Sequence, residues 1–317
     1  MSSLTETIAL SRFYPLSRPL SYDVFSKGHN GWMALMPNFT QAPDFDTRES
    51  TMVKDQWPPV MLSSATFRYP GTHGALSGTY SLKISTRPIA NPYEEKPAPG
   101  SMGHAIKRMS FHQSDRKRIQ FEMWFSFTAE QDRVGGTEDL AGLSENSIRA
   151  FGVCFDMQER QKRAFAGVRY LNSVNGKPVR KWQYMSPAEG SDDLVWGYGS
   201  EREWARKGVD PQWYGRRYSD GRHDGFKDIP NAGQELCYNE TDCKINWLYF
   251  RFLFDIENRQ YVEMQAQDQV FDMRGLSIYS VPSYARIEGL LNPLIWIEND
   301  TARRVFLYVD SILISQD

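Results

Sequence analysis

Hydrophobic and polar residues alternate along most of the chain, which is the pattern of strands with one face in a core and the other toward polar surroundings. The clearest case is residues 247–275, where three alternating runs are joined by two polar turns. We therefore predict a β-meander there, with strands at 247–255, 261–266 and 270–273.

Other parts of the chain carry the same period of two. It predicts further strands at 60–69, 78–86, 105–109, 118–127, 148–157, 163–171, 177–185, 290–298 and 304–314. Asn175-Gly176 lies between two of these runs, and both residues tolerate the positive φ of a type I′ hairpin turn. Residues 1–60 are expected to hold short strands joined by ordered loops, because their prolines argue against helix. The pattern as a whole predicts an all-β fold, a two-sheet antiparallel jelly-roll sandwich with long loops and little helix.

The length of 317 residues is compatible with one domain, since large sandwiches often take 200 to 250 residues as a single unit. We expect a single sandwich domain over 1–317 and interpret the proline-rich residues 88–103 as a loop within it. Residues 186–245 are aromatic-rich but show no sustained period, so they are predicted to form a loop insertion.

Charge and hydropathy exclude some functional classes. Thirty-seven basic and 39 acidic residues give a formal net charge of −2, which offers no global attraction to nucleic acid or an anionic membrane. No apolar stretch approaches the ~20 residues that a membrane helix needs, and the N-terminus lacks the features of a signal peptide. The chain is therefore expected to be a soluble, cytoplasmic protein without nucleic-acid or membrane partners.

Several segments together resemble a known superfamily. They are the pattern W-x-Y-x-R-F-x-x-D-x-x-x-R-x-Y-V at 247–262, FDMRG at 271–275, VDSILIS at 309–315 and GWMALMPNF at 31–39. The chain resembles the jelly-roll sandwiches of the concanavalin A-like lectin and glucanase superfamily, and more narrowly a group of bacterial proteins of about this size. The resemblance implies a curved sheet whose concave face, in relatives, often holds carbohydrate.

The meander supplies the first set of candidate binding residues. Its polar face is predicted to present Trp247, Tyr249, Arg251, Tyr261, Glu263 and Gln265, whose rings could stack on sugars and whose polar groups could bind hydroxyls. In the alternative interpretation, Trp247 and Tyr249 pack beneath a loop while Arg251 and Glu263 form a cross-strand ion pair. The 186–245 insertion adds Trp196, Trp204, Trp213 and Tyr214, which either rim a groove or anchor their own loop.

The sequence indicates catalytic residues less clearly than binding residues. The superfamily resemblance would imply an E-x-D-x-x-E cluster, in which two carboxylates ~5 to 5.5 Å apart cleave glycosidic bonds with retention, but the sequence lacks it. A glycoside hydrolase or polysaccharide lyase with dispersed acids stays open as an alternative. Its weak candidates are Glu122, Asp156, Glu263 and Asp272, which fall in or beside predicted strands.

The sequence also contains only weak indications of a metal site or a disulfide. Asp220 and Asp224 flank glycines as calcium ligands do, but their spacing departs from the calcium-loop pattern, so a solvated turn is favoured and no cofactor is predicted. Cys154 is expected to be a small buried residue, whereas Cys237 and Cys243 could pair in an oxidising compartment.

Three hypotheses result from the sequence. The first is an oligosaccharide- or polysaccharide-binding sandwich that uses the meander face and the 186–245 loop. The second is the hydrolase or lyase with dispersed acids. The third is a structural or homo-oligomeric sandwich without a small ligand, whose exposed aromatic residues fill a subunit interface.

Overall fold

The computed structural model describes residues 11–33, 61–64, 74–86, 102–110, 118–130, 145–159, 162–186, 226–239, 246–282 and 289–317. The strands in these ranges are β1 (Arg18–Asp23), β2 (Trp32–Met33), β3 (Met61–Ser64), β4 (Tyr80–Ser85), β5 (Met102–Lys107), β6 (Arg118–Ala129), β7 (Ile148–Glu159), β8 (Lys162–Val174), β9 (Lys177–Met185), β10 (Phe226–Gly233), β11 (Leu248–Asp255), β12 (Gln260–Ala266), β13 (Gln269–Asp272), β14 (Tyr279–Pro282), β15 (Leu290–Asn299) and β16 (Val305–Gln316). A 3₁₀ turn at Glu145–Ser147 precedes β7.

The strands form two antiparallel sheets. Sheet A has the order β13, β12, β11, β6, β16, β4, β3, and β1 pairs with the C-terminal part of β16. Sheet B has the order β10, β9, β8, β7, β15, β5, β2, and β14 pairs with the first residues of β8. The predicted two-sheet antiparallel sandwich is therefore confirmed. In the ranges that the structure describes, no helix is long and apolar enough to cross a membrane.

The predicted meander is confirmed as β11, β12 and β13, which pair consecutively at one side of sheet A. The hairpin at Asn175-Gly176 is confirmed as well. Its two central residues have φ values of 53° and 72°, which the type I′ turn requires.

The main core lies between the sheets. Alternate residues of β6 and β11 from sheet A face alternate residues of β7, β8 and β9 from sheet B. The indole of Trp182 on β9 stacks on the ring of Phe250 on β11, with 5.6 Å between centroids. Offset ring pairs of this kind add to the stabilisation from apolar burial.

The prediction that Tyr261 shares the polar face of the meander is wrong, because a β-bulge interrupts the alternation. Phe254 pairs with Tyr261 while Leu253 pairs with Glu263, so Val262 is an extra residue in β12. The extra residue turns Tyr261 into the core, where it is fully buried. Its hydroxyl accepts a hydrogen bond from the Gly167 amide at 3.1 Å and donates one to the Met185 carbonyl at 3.0 Å.

The interpretation of 186–245 as one irregular insertion also needs correction. Within it, residues 226–233 form β10, the edge strand of sheet B. Its buried residues Phe226, Ile229 and Ala232 are three positions apart, because the register with β9 shifts between Asp228 and Gly233. The strand therefore lacks the period of two on which the prediction relied.

Candidate functional site

The outer face of sheet A at the meander is occupied by the chain itself. Residues 11–17, here called the N-terminal arm, run across this face. The amide of Tyr14 in the arm donates to Glu122 Oε1 at 2.7 Å, and the hydroxyl of Tyr249 donates to the same oxygen at 2.6 Å. Tyr249 is buried, and burial beside the Glu122 carboxylate raises the pKa of its hydroxyl. Its ring is thus not presented for stacking on a ligand.

The other predicted residues of the meander face are placed as follows. Arg251 and Glu263 form a cross-strand ion pair, so this part of the alternative interpretation is confirmed. Gln265 donates from its side chain to the Gln267 carbonyl at 2.8 Å. Trp247 precedes β11 and is half-buried. The meander face therefore presents mainly paired polar groups.

Each of the four candidate carboxylates has a partner. Fully buried Glu122 is held by Tyr249 and the arm, and Glu263 is held by Arg251. Asp156 forms a two-pronged ion pair with Arg163, with nitrogen–oxygen distances of 2.7 and 2.8 Å.

The fourth carboxylate, Asp272, binds Arg274 in the turn after β13, and the hydrogen bond from Arg274 lowers the pKa of Asp272 to about 2. Glu263 and Asp272 are directly opposite each other across β12 and β13, but both are already paired with arginine. Asp156 lies on sheet B, whereas the other three lie on sheet A, so the four acids do not converge on one centre.

Six predicted residues lie outside the described part of the chain: Trp196, Trp204, Trp213, Tyr214, Asp220 and Asp224. Within the described ranges, no group of three His, Cys, Asp or Glu residues is arranged to hold a metal ion. Cys154 is buried as expected and Cys237 is exposed, while Cys243 is outside the described residues.

The outer face of sheet B carries a different arrangement, in which one residue from each of six adjacent strands lies in line. The register places Asp228 opposite Gln183, Gln183 opposite Arg169, Arg169 opposite Gly152, Gly152 opposite Trp296 and Trp296 opposite His104. We call these six residues the sheet B row. Five spacings of ~4.8 Å between neighbouring strands give the row a length of about 24 Å.

Hydrogen bonds connect one end of the row. Arg169 Nε donates to Gln183 Oε1 at 2.7 Å, and Gln183 Nε2 donates to Asp228 Oδ1 at 2.7 Å. Lys181, two residues before Gln183 on β9, donates to the other oxygen of Asp228 at 2.7 Å. Desolvation alone would raise the pKa of Asp228, but the hydrogen bonds from Gln183 and Lys181 outweigh it and the pKa lies below its usual value.

Aromatic rings lie along the same row. The Arg169 guanidinium carbon is 4.1 Å from the centroid of the Phe226 ring, which is a cation–π contact. The centroids of the Phe226 and Trp296 rings are 6.4 Å apart. Gly152 lies between Arg169 and Trp296 in the row and has no side chain that would separate them. Planar polar groups therefore occupy the β10 end of the row, and aromatic rings occupy the part toward β5.

His104 ends the row on β5. Burial lowers the pKa of His104 to about 4, so the imidazole is neutral at physiological pH. Three strand spacings, about 14 Å, separate the backbone of His104 from that of Arg169. This distance is too long for the two side chains to act on one bond.

The exposed part of the row is at its β10 end. The side chain of Asp228 is 54% exposed and that of Lys181 is 33% exposed, whereas Arg169 and Gln183 are buried behind them. Sequence reasoning missed these residues because each is one polar residue in a strand. For Lys181, Gln183 and Arg169, the alternation with core residues predicted only that they face outward, and Asp228 lies in β10, which lacks that alternation. The order of the strands that aligns these residues does not follow from the local sequence.

A family model described as "Domain of unknown function (DUF6772)" matches residues 2–317. The comparison with curated proteins gave no match. Among solved structures, the chain is similar to the potassium-bound carbohydrate recognition domain of Emp46p, with 10% identity, a TM-score of 0.33, and coverage of 90% of this chain and 97% of that chain.

Two further solved structures show similarity at the same level. One is the alginate lyase Aly36B with an alginate tetrasaccharide, with 10% identity, a TM-score of 0.33, and coverage of 82% of this chain and 98% of that chain. The other is the lectin UEA-II complexed with galactose, with 9% identity, a TM-score of 0.34, and coverage of 83% of this chain and 96% of that chain.

Proposed function

This chain belongs to the DUF6772 family, and we propose that it binds carbohydrate along the outer face of sheet B. The observation that carries the proposal is the sheet B row, in which hydrogen-bonding side chains and aromatic rings lie in line across six strands. The ligand that we expect is a linear oligosaccharide or polysaccharide that runs across the strands.

The chemistry of the row supports a sugar ligand. Sugars present hydroxyl groups at their edges and apolar C–H surfaces on their faces, so their sites combine planar polar side chains with aromatic rings. The polar groups open to a ligand are those of Asp228 and Lys181, whereas the rings of Phe226 and Trp296 on the same face are buried. Lys181 and Asp228 are partly exposed, so an incoming chain meets them first.

Binding is supported better than cleavage. Glycoside hydrolysis needs two carboxylates facing one bond, about 5 to 9.5 Å apart, with one of them free to give up a proton. The four candidate acids are each held by an arginine or a phenol and lie on different sheets. Those residues thus favour a carbohydrate-binding role over a hydrolytic one.

A binding experiment with a matched pair of variants tests the proposal. The melting temperature of the protein is measured with each of a panel of neutral and acidic hexasaccharides, and the Kd of each hexasaccharide is measured by isothermal titration calorimetry. Lys181→Ala removes an exposed donor from the sheet B face. Lys83→Ala is its control, because Lys83 also lies on a strand, is also partly exposed and projects from the outer face of sheet A over the Phe306 ring.

We expect at least one hexasaccharide to raise the melting temperature of the wild-type protein. Lys181→Ala should weaken the binding of that ligand by about three- to tenfold, the effect of one net hydrogen bond of about 1 kcal/mol at a partly exposed site. Lys83→Ala should bind like the wild type. Equal weakening in the two variants, or no binding of any glycan at millimolar concentration, would contradict the proposal.

A further inference from the structure

The hairpin turn between β8 and β9 carries an asparagine followed by a glycine at its tip. Val174 pairs with Lys177, so Asn175 and Gly176 form the whole loop. Both residues are exposed, and a Cβ atom at Gly176 would meet nothing within 4 Å. The side-chain amide of Asn175 and the backbone nitrogen of Gly176 are therefore neighbours in an open part of the surface.

An exposed Asn-Gly pair can rearrange without an enzyme. The backbone nitrogen of the glycine attacks the side-chain carbonyl carbon of the asparagine, and a new carbon–nitrogen bond closes a cyclic imide. The side-chain nitrogen leaves as ammonia, with the proton that the backbone nitrogen gave up. Water then opens the imide at either carbonyl, which gives aspartate or isoaspartate. Glycine permits this attack because it has no Cβ atom beside its nitrogen.

The nitrogen that would attack is bound by a distant carboxylate. The Gly176 amide donates to Asp300 Oδ2 at 2.5 Å, although Asp300 follows β15 and is 124 positions away in the sequence. The Ser173 hydroxyl donates to the same oxygen at 3.2 Å, and Arg149 Nη1 donates to Oδ1 at 3.2 Å. The side chain of Asp300 is only 3% exposed. Gly176 thus donates to a carboxylate that is buried and held in place.

This contact opposes the first step of the rearrangement. The attacking nitrogen must give up its proton, and both the hydrogen bond to its protonated form and the negative charge of Asp300 disfavour that loss. The pairing of Val174 with Lys177 adds to the restraint, because it fixes the backbone on either side of the turn.

We propose that Asn175-Gly176 is a site of spontaneous deamidation, and that Asp300 preserves the asparagine in the folded protein. The product has an additional carboxylate at residue 175, and the isoaspartate form also lengthens the main chain by one carbon atom. A longer main chain does not fit the two-residue turn. Deamidation therefore loosens the β8–β9 hairpin, which carries Arg169 and Gln183 of the sheet B row.

The test compares deamidation in variants of the full chain. Asp300→Asn removes the charge and keeps the shape of the side chain. Asp156→Asn is the matched control, because Asp156 is also a buried aspartate bound to an arginine of sheet B, and it lies beside Phe165 near the other end of β8. Asn175→Gly keeps a residue that adopts positive φ and removes the reactive amide.

Each protein is incubated at neutral pH for several weeks. Mass spectrometry of the peptide that contains residue 175 then measures the replacement of the amide by an acid and the fraction of isoaspartate. Circular dichroism before the incubation checks that each variant is folded. Asp300→Ser, which also lacks the charge, takes the place of Asp300→Asn if that variant does not fold.

We expect Asp300→Asn to deamidate at residue 175 about tenfold faster than the wild type, because the charge that opposes ionisation of the attacking nitrogen is gone. Asp156→Asn should deamidate at the wild-type rate, and Asn175→Gly should show no change of mass in this peptide.

The outcomes decide the two parts of the proposal separately. Equal or slower deamidation in Asp300→Asn would overturn the protective role of Asp300. Acceleration of the same size in Asp156→Asn would also overturn it, since general loosening of sheet B would then account for the effect. If residue 175 keeps its amide in the wild type and in every folded variant, the site itself is disproved.

Discussion

The hydroxyl of Tyr261 lies 3.0 Å from the carbonyl oxygen of Met185, so a side chain of sheet A is hydrogen-bonded to the backbone of sheet B. The same hydroxyl accepts from the Gly167 amide on β8. The bulge in β12 that turns Tyr261 inward thus connects three strands through the core.

Tyr261→Phe should destabilise the protein by about 1–3 kcal/mol, because the Gly167 amide and the Met185 carbonyl would lose a buried partner. Urea unfolding at neutral pH gives the free energy of unfolding. Tyr14→Phe is the control, since Tyr14 is 68% exposed and its substitution should change stability by less than ~0.5 kcal/mol. Equal values for the two variants would show that the inter-sheet hydrogen bonds do not contribute.

Gly152→Ala should disrupt sheet B. A Cβ atom at Gly152 would overlap the Val168 carbonyl oxygen and press on the Arg169 backbone, so β7 and β8 would have to separate. We expect a loss of about 3 kcal/mol or more, or a protein that does not fold. Gly233→Ala, where a Cβ meets nothing within 4 Å, should be nearly neutral. Unfolding midpoints of the two variants compare them, and similar midpoints would contradict the close approach at Gly152.

Glu122→Ala should release the N-terminal arm from sheet A. The substitution removes the acceptor for the Tyr14 amide and the Tyr249 hydroxyl, and it deprives Gln120 of one of its two acceptors. Hydrogen–deuterium exchange at the Tyr14 amide should become at least tenfold faster, while exchange in β7 stays unchanged. Glu122→Gln keeps one acceptor oxygen and should show an intermediate rate. Unaltered protection of Tyr14 in Glu122→Ala would mean that other contacts hold the arm.

Asp310 should make the stability depend on pH. Desolvation by burial raises the pKa of Asp310 from 3.8 to about 6, although the Ser77 amide donates to its carboxylate. Between pH 3.8 and about 6, Asp310 is protonated in the folded state but ionised in the unfolded state. The contribution of Asp310 to stability is therefore fully present below pH 4 and is lost as the pH rises through 6.

The measurement is the difference in unfolding free energy between wild type and Asp310→Asn from pH 4 to pH 7. It should shift by up to about 3 kcal/mol in favour of the variant as the pH rises. Using the difference removes the contributions of the other carboxylates. A constant difference over this range would rule out the raised pKa of Asp310.

The sequence predicted most strands of the two sheets, but it did not predict the bulge in β12 or the edge strand β10. The meander was predictable because leucine and phenylalanine at every second position of β11 mark a face in the core. Tyr261 was misassigned because a single extra residue, Val262, reverses the faces of a strand without any local signal. β10 was missed for a related reason, since its shifted register spaces the buried residues by three.

The candidate site was harder to predict than the fold. Arg169 and Gln183 lie on one hairpin, but the register shift between Leu171 and Ser173 hides their pairing in the sequence. Trp296 is brought into line with them by a strand order that depends on long-range pairing. A single polar residue among core residues predicts an outward side chain but not its neighbours. The Arg251–Glu263 pair could be considered from sequence because both residues belong to one hairpin, whose register follows from its short turn.

The strand order of sheet A also has a kinetic consequence. β16 is hydrogen-bonded to β6 in the middle of the sheet, and the paired residues Phe127 and Leu307 are 180 positions apart. Closing so long a loop costs conformational entropy before the pairing stabilises the chain, and topologies dominated by such contacts fold slowly. Before β16 pairs with it, one edge of β6 has unpaired backbone N–H and C=O groups that can pair with another chain. We therefore expect refolding yield to fall steeply as protein concentration rises.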